Sequence, residues 1–326
     1  MGLIRARPTL NQLPKGASRR PTMSHPVHTL LLLTGPADPP GLEAGTIAAV
    51  RALLEPDLIG ERWLAEGVAW QAVLPAREPS ELGLLVRRVR GALAPRPIDV
   101  NAIAAEPGRY RKKLLVADME STIIEQECLD ELAVHAGLAD RIAAITARAM
   151  RGELAFEAAL SERVALLRGL EAGLLEEIYT RRVSLMPGAQ TLVATMRRDG
   201  AHCALVSGGF TFFSERIAAR LGFASQHANT LEIADGRLAG SVRPPILGRE
   251  AKLATLNRLT RELRLAAQDT LAVGDGANDL AMIKAAGLGV AFRAKPIVAE
   301  AALVRIDHAD LTALLYLQGY ARSEFA

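Results

Sequence analysis

Three polar clusters carry the side chains most suited to chemistry: Asp118-Met119-Glu120-Ser121-Thr122, Ser207-Gly208-Gly209 and Gly274-Asp275-Gly276-Ala277-Asn278-Asp279. Each follows a short apolar run, LLVA at 114–117, CALV at 203–206 and TLAV at 270–273. Taken together they hold the parts that phosphoryl transfer needs. A carboxylate can attack phosphorus and form an acyl phosphate, a divalent cation held by oxygen ligands can neutralise the phosphoryl oxygens, and backbone amides with a lysine can hold the remainder. Lys252, in a helical stretch between the second and third clusters, is the candidate lysine, acting as a point charge.

Each cluster alone has a plainer explanation. Asp118 with Glu120 fits a helix cap with a neighbouring charge, Ser207-Gly208-Gly209 fits a tight turn, and a lone helical lysine is usually solvated. Two other chemistries are excluded by spacing. The third cluster lacks the glycine and distal Glu of an EF-hand at the required offsets, and Ser207 cannot belong to a GxSxG elbow because position 205 is Leu.

The elements around the clusters explain why they belong together. From Leu114 onward the chain reads as βα units, with a fourth strand candidate GVAF at 289–292, which predicts a mostly parallel sheet covered on both faces. Ligands of such sheets bind beyond the carboxyl ends of the strands, where all three clusters would converge. Residues 126–185 show i, i+3, i+4 apolar repeats and almost no strand signal, so a helical insertion is expected there. In LEIADGRLAG an Asp-Gly pair between alternating residues marks a hairpin. Residues 27–104 read instead as a small βαββαβ sandwich, and 105–113 as a linker to the main domain at 114–326.

Composition narrows the class. Of 326 residues, 50% are hydrophobic and 23% charged, so a folded core is expected, and aromatics at 4% offer few platforms for stacking bases. The net charge of +3 is misleading, because Arg5, Arg7, Lys15, Arg19 and Arg20 lie in a stretch without acids, and the remainder is net negative. No nucleic-acid footprint is expected. Residues 1–26 are expected to form a disordered leader, with Met23 as an alternative start. The longest aliphatic run, Leu30 to Leu33, is too short to cross a bilayer, so neither membrane nor export is expected and a cytoplasmic location is. Cys128 and Cys203 suggest neither a disulfide nor a zinc site, and His25 with His28 lacks further ligands.

Read in order, DxExT, SGG, a lysine and GDGxND resemble the haloacid dehalogenase superfamily, and EQECLDELA with TARAMRGELAFEAALSERVALLRGL narrows the resemblance to its phosphoserine phosphatase family, over about 114–320. The resemblance implies a doubly wound, mostly parallel sheet with a helical cap at about 126–185, and hydrolysis of phosphoserine through an aspartyl phosphate. By that resemblance Asp118 is the nucleophile and Glu120 the general acid and base. Asp118, Asp275 and the backbone carbonyl of Glu120 would hold Mg²⁺, with Mn²⁺ as an alternative, and Asp279 would support the metal from behind. Ser207, Gly208, Gly209, Lys252 and Asn278 would bind phosphate, while Glu127, Arg163, Met150 and Phe156 would read serine and close the pocket.

The amino-terminal unit resembles ACT-like regulatory domains. It would bind an amino-acid effector or bury a sheet edge in a homodimer, and the second use is favoured. Phosphohomoserine, a different acceptor alcohol, or an amino-acid sensor with a decayed site are the competing functions. At position 120 the family usually has Asp, and the added methylene shifts the proton-transfer oxygen by about 1 Å, a displacement that can cost roughly 100-fold in rate. A Glu120→Asp variant is accordingly expected to lose roughly 100-fold in steady-state turnover. Turnover equal to the parent's would show that the pocket is not built around Glu.

Overall fold

The computed structural model of the protein describes residues 28–105, 110–151 and 153–326. The expected leader and residues 106–109 of the expected linker lie outside the described residues. The amino-terminal unit runs β1 (His28–Thr34), α1 (Ala44–Leu54), β2 (Gly60–Ala65), β3 (Ala69–Pro75), α2 (Pro79–Leu93) and β4 (Asp99–Ala105). Its strands form an antiparallel sheet in the order β2-β3-β1-β4. The aliphatic run in β1 is explained by burial on both faces. Leu31 and Leu33 join Trp70, Leu74 and Val100 in a core with the two helices, whereas Leu32 joins a second core with Leu64, Val68 and residues of the larger unit such as Leu314 and Tyr316.

The larger unit begins with β5 (Leu114–Ala117), followed by four helices, α3 (Cys128–His135), α4 (Ala139–Met150), α5 (Phe156–Ala165) and α6 (Gly173–Arg181). Then come α7 (Ala189–Arg198), β6 (His202–Phe210), α8 (Thr211–Leu221), and the hairpin β7 (Ser225–Ala234) and β8 (Arg237–Arg243). The chain continues through α9 (Arg249–Glu262), β9 (Thr270–Gly274), α10 (Leu280–Ala285), β10 (Leu288–Phe292), α11 (Pro296–Ala301), β11 (Val304–Ile306) and α12 (Ala313–Leu317). The sheet order is β11-β10-β9-β5-β6-β7-β8, parallel except for the last pair. The fold is therefore α/β with a mostly parallel sheet, as expected. Strand order reverses on either side of β5, so the crevice opens at the end of β5, where Asp118 stands. The β7–β8 turn is the expected Asp-Gly one, with φ of 50° at Asp235 and 72° at Gly236, the left-handed pair that suits a two-residue hairpin.

Helices α3 to α6 stand over that crevice as a cap tied down at two places. At its entry and exit, Glu125 N–H donates to the Ser184 carbonyl (3.1 Å), and the Gln126 carboxamide exchanges two hydrogen bonds with Ser184 (2.8 and 2.9 Å). Between α5 and α6, Gly169, Leu170 and Ala172 exchange backbone hydrogen bonds with Leu238 and Gly236 of the hairpin (2.9 Å each), reinforced by Arg237 with Glu171 (2.5 Å). The cap loop is thus tied to the edge of the core sheet.

The strand β11 was not foreseen, and it explains how the two units meet. Asn101 of β4 mimics a backbone partner for Arg305, donating to its carbonyl and accepting its N–H (both 2.9 Å). Asp99 accepts N–H groups of Asp307, His308 and Ala309 at 2.8 to 3.3 Å. Both side chains are buried. One edge of the small sheet is thereby covered within the same chain, and β2 remains as its other edge. No helix among the described residues is long and apolar enough to cross a membrane.

Candidate active site

The three clusters converge. Lys252, in the first turns of α9, is 2% exposed, and its ammonium lies 2.7 Å from Asp118 Oδ1 and 2.6 Å from Asp279 Oδ1. Asp118 follows β5 directly, its N–H bonded to the Val273 carbonyl of β9 (3.0 Å), and its Oδ1 also accepts the Met119 N–H (2.7 Å). Asp279 opens α10 and uses its other oxygen to accept the Gly276 N–H (3.0 Å). Both oxygens of Asp279 are therefore engaged by protein donors, which suits support of Lys252 better than direct metal ligation.

Oxygen atoms of Asp118, Asp275 and Asp279 lie within 4.8 Å of one another in buried surroundings. Lys252 cannot neutralise three carboxylates, and Lys295 reaches Asp275 only at 3.8 Å. Burial, and then the neighbouring acids, push Asp118 well above the usual carboxylate range, against the pull of Lys252. Asp275 is pushed up to about 6, again chiefly by burial. Lys252 is held charged, because Asp118 and Asp279 outweigh its own burial. An excess of hard, buried oxygen donors in one crevice is the donor set a divalent cation requires, so these residues fit a metal.

Glu120 is half-buried and accepts the Cys128 N–H (2.8 Å). Burial and then Glu127 raise it to about 7, while the Cys128 N–H opposes the shift. Its extra methylene is accommodated by glycine: a Cβ on Gly209 would lie 2.6 Å from Glu120 Oε2. Ser207 Oγ accepts the Gly209 N–H (2.8 Å), fixing the turn, and a Cβ on Gly208 would meet the Phe156 ring at 3.1 Å. Phe156 thus rests on the glycine turn from the cap side. Arg163 lies seven residues later on α5, donates to the Ala159 carbonyl (3.2 Å), and has Asp130, Glu120 and Glu127 as its charged neighbours. Glu127 immediately precedes α3, and its carboxylate accepts the Ser121 hydroxyl (2.8 Å). Asn278 is half-buried in the loop between Asp275 and Asp279, against Gly276. The Met150 side chain lies outside the described residues.

Three neighbours escaped the sequence reading. Ser121 sits at φ 54°, a left-handed conformation that turns its hydroxyl toward Glu127. Lys295 stands near Asp275, its N–H on the Asp275 carbonyl (3.0 Å). Asn229 of β7, 1% exposed, donates to the Gly208 carbonyl (2.8 Å). Only Asn229 left a signal, as an amide in a strand, where Asn is disfavoured.

A parallel sheet with acids at its switch point, a buried lysine and a helical cap define a hydrolase of the doubly wound class. Residues 115–284 match the haloacid dehalogenase-like hydrolase family. A phosphoserine phosphatase of Streptomyces coelicolor is 44% identical over 227 residues, covering 70% of this chain and 55% of that protein. Among solved structures, a phospho-aspartyl intermediate analogue of phosphoserine phosphatase is 38% identical with a TM-score of 0.59, covering 63% of this chain and 98% of that one. A family hydrolase from Salmonella enterica serovar Typhi is 30% identical with a TM-score of 0.77, covering 89% and 98%. The chain belongs to the haloacid dehalogenase-like hydrolase family, within its phosphoserine phosphatase branch. It spans 52% to 59% of the length of the first curated relatives that it matches.

Gly209→Ala tests the fit of Glu120. The added Cβ is expected to push the carboxylate aside by about 1 Å and lower kcat roughly 100-fold in steady-state assays, with thermal stability near the parent's. Unchanged kcat would show that Glu120 does not need that position.

Proposed function

We propose that the protein hydrolyses O-phospho-L-serine to serine and inorganic phosphate, the closing step of serine biosynthesis. The observation that carries this reading is the convergence of Asp118, Lys252 and Asp279 under a cap that presents Glu127 and Arg163. One anion and one cation complement the ammonium and carboxylate of a zwitterion. The names of the matched relatives support the same substrate.

In the proposed cycle Asp118 attacks phosphorus in line with the departing serine oxygen. The described donors to Asp118 both address Oδ1, which leaves Oδ2 for attack. Lys252 and the turn Ser207-Gly208-Gly209, through the Ser207 hydroxyl and backbone amide donors, hold phosphoryl oxygens. Glu120, raised to about 7, is partly protonated at neutral pH and delivers a proton to the serine oxygen. Having lost it, Glu120 takes a proton from the water that hydrolyses the aspartyl phosphate. Phe156 on Gly208 excludes water during the first step. Mg²⁺, or Mn²⁺ in its place, would be held by Asp118, Asp275 and the Glu120 carbonyl, and when bound it supplies charge neutralisation for the phosphoryl oxygens.

The amino-terminal unit, whose sheet order is compatible with an ACT-like domain, is proposed to pair in a homodimer or to take an amino-acid effector. A cytoplasmic location agrees with two buried, unpaired cysteines, Cys128 and Cys203. The test is phosphate release by the purified chain from L-phosphoserine, phosphothreonine, phosphohomoserine and a sugar phosphate, with Mg²⁺ and with excess chelator. Chelator-sensitive preference for phosphoserine is expected. Preference for another ester would overturn the substrate, and no release from any ester by folded protein would overturn the enzyme reading in favour of a sensor.

A further inference from the structure

The turn at residues 207–209 is an interruption in a ladder. Strand β6 pairs Val206 with His227 and next Phe210 with Asn229, so three residues of β6 face one residue of β7. A bulge of this kind frees backbone groups that a regular ladder would satisfy. The carbonyl of Gly208 is such a group, and its partner is the Asn229 side chain, whose Nδ2 donates to it at 2.8 Å. The same carboxamide reaches a second loop. Its Oδ1 accepts the Leu247 N–H (2.7 Å) and its Nδ2 also approaches the Leu247 carbonyl (3.3 Å). Leu247 immediately precedes Gly248, the cap residue of α9, and Lys252 lies in the first turns of that helix. One buried amide therefore spans the glycine turn and the root of the lysine helix.

Asn229 is a costly residue for this place unless the amide is used. It is 1% exposed within a strand, where a β-branched or aromatic side chain would pack better, and a buried carboxamide must find partners for its donors and acceptor. It finds them on both loops. The carboxamide is planar and short, so it fixes the separation of those loops more tightly than backbone contacts in either loop could alone.

We propose that Asn229 is a positioning residue for phosphoryl transfer: it sets the distance between the turn at residues 207–209 and the ammonium of Lys252, and so the shape of the cradle for the phosphoryl group. The inference rests on the proposed function and deepens it. It concerns the phosphate end of the site, because the Asn229 carboxamide is engaged by the Gly208 carbonyl and the Leu247 backbone.

The test compares the full chain with its Asn229→Asp and Asn229→Ala variants. Asn229→Asp keeps the shape but replaces the donor with an acceptor that faces two carbonyls, and Asn229→Ala removes the bridge without adding charge. Binding of inorganic phosphate and of L-serine in the presence of Mg²⁺ is read by calorimetry, beside kcat and Tm. In both variants the Kd for phosphate is expected to rise at least about tenfold and kcat to fall at least about 30-fold, with the Kd for L-serine within about threefold of the parent's. Phosphate binding and turnover within about threefold of the parent would overturn the proposal. Parallel losses of phosphate and serine binding that follow a lowered Tm, or failure of both variants to fold, would assign Asn229 to the fold alone and overturn it equally. Because phosphate binding does not depend on which ester is turned over, a parent chain inactive on phosphoserine would sink the substrate reading while leaving this comparison intact.

Discussion

Everything in the site is arranged around one buried cation. An ammonium taken out of water costs several kcal/mol unless it is paired at close range, and Lys252 is paired twice, with Asp118 from β5 and Asp279 from the β9–α10 loop. The pairing joins the ends of two adjacent strands to the start of α9, three segments distant in sequence. It also leaves the neighbourhood short of positive charge, since the ion pair that Asp275 makes among the described residues is with Lys295 at 3.8 Å. That imbalance is useful to a phosphate-handling site only when a further cation is present. The same feature that holds the strand ends together thus leaves a set of buried oxygen donors that suits a divalent cation.

The sheet makes this geometry cheap to maintain. β5, β6 and β9 are central strands, buried on both faces, so their ends are fixed by packing and not by the loops that carry the chemistry. The cap lies on a different footing. It is pinned to the core at residues 124–126 with 184–185 and again at the hairpin through Arg237, Leu238 and Gly236. The amino-terminal unit adds a third layer of constraint, because Asp99 and Asn101 hold β11 and the residues after it, and Leu311 bonds onward to the Pro187 carbonyl near the exit of the cap (3.1 Å).

Much of this could be read before any coordinates. Short apolar runs, three of them ending in polar clusters, gave four strands of the sheet, and the helical period between β5 and α7 gave the cap, because both patterns follow from local burial. The Asp-Gly turn of the hairpin was legible for the same reason, since few residues accept left-handed φ. What stayed hidden depends on contacts distant in sequence. The strand β11 has three residues and exists because β10 and β4 flank it. Asn229 stands out as an amide in a strand, but what the amide holds is seen only once the bulge in β6 is known, and the contact of Ser121 with Glu127 depends on a backbone angle that its type does not announce. The departure at Glu120 was visible, but its accommodation by Gly209 was not, because glycine records space only once the neighbour is placed.

In the proposed cycle Asp118 takes the phosphoryl group covalently while Lys252 holds it in place. Acid quenching of the enzyme during turnover of phosphoserine, followed by borohydride reduction and peptide mass spectrometry, measures this directly. Asp118 is expected to be converted to homoserine in a substrate-dependent manner, with no such change at Glu120, Asp275 or Asp279. Turnover with no acyl phosphate at any carboxylate under single-turnover sampling, or its appearance at a different acid, would contradict it.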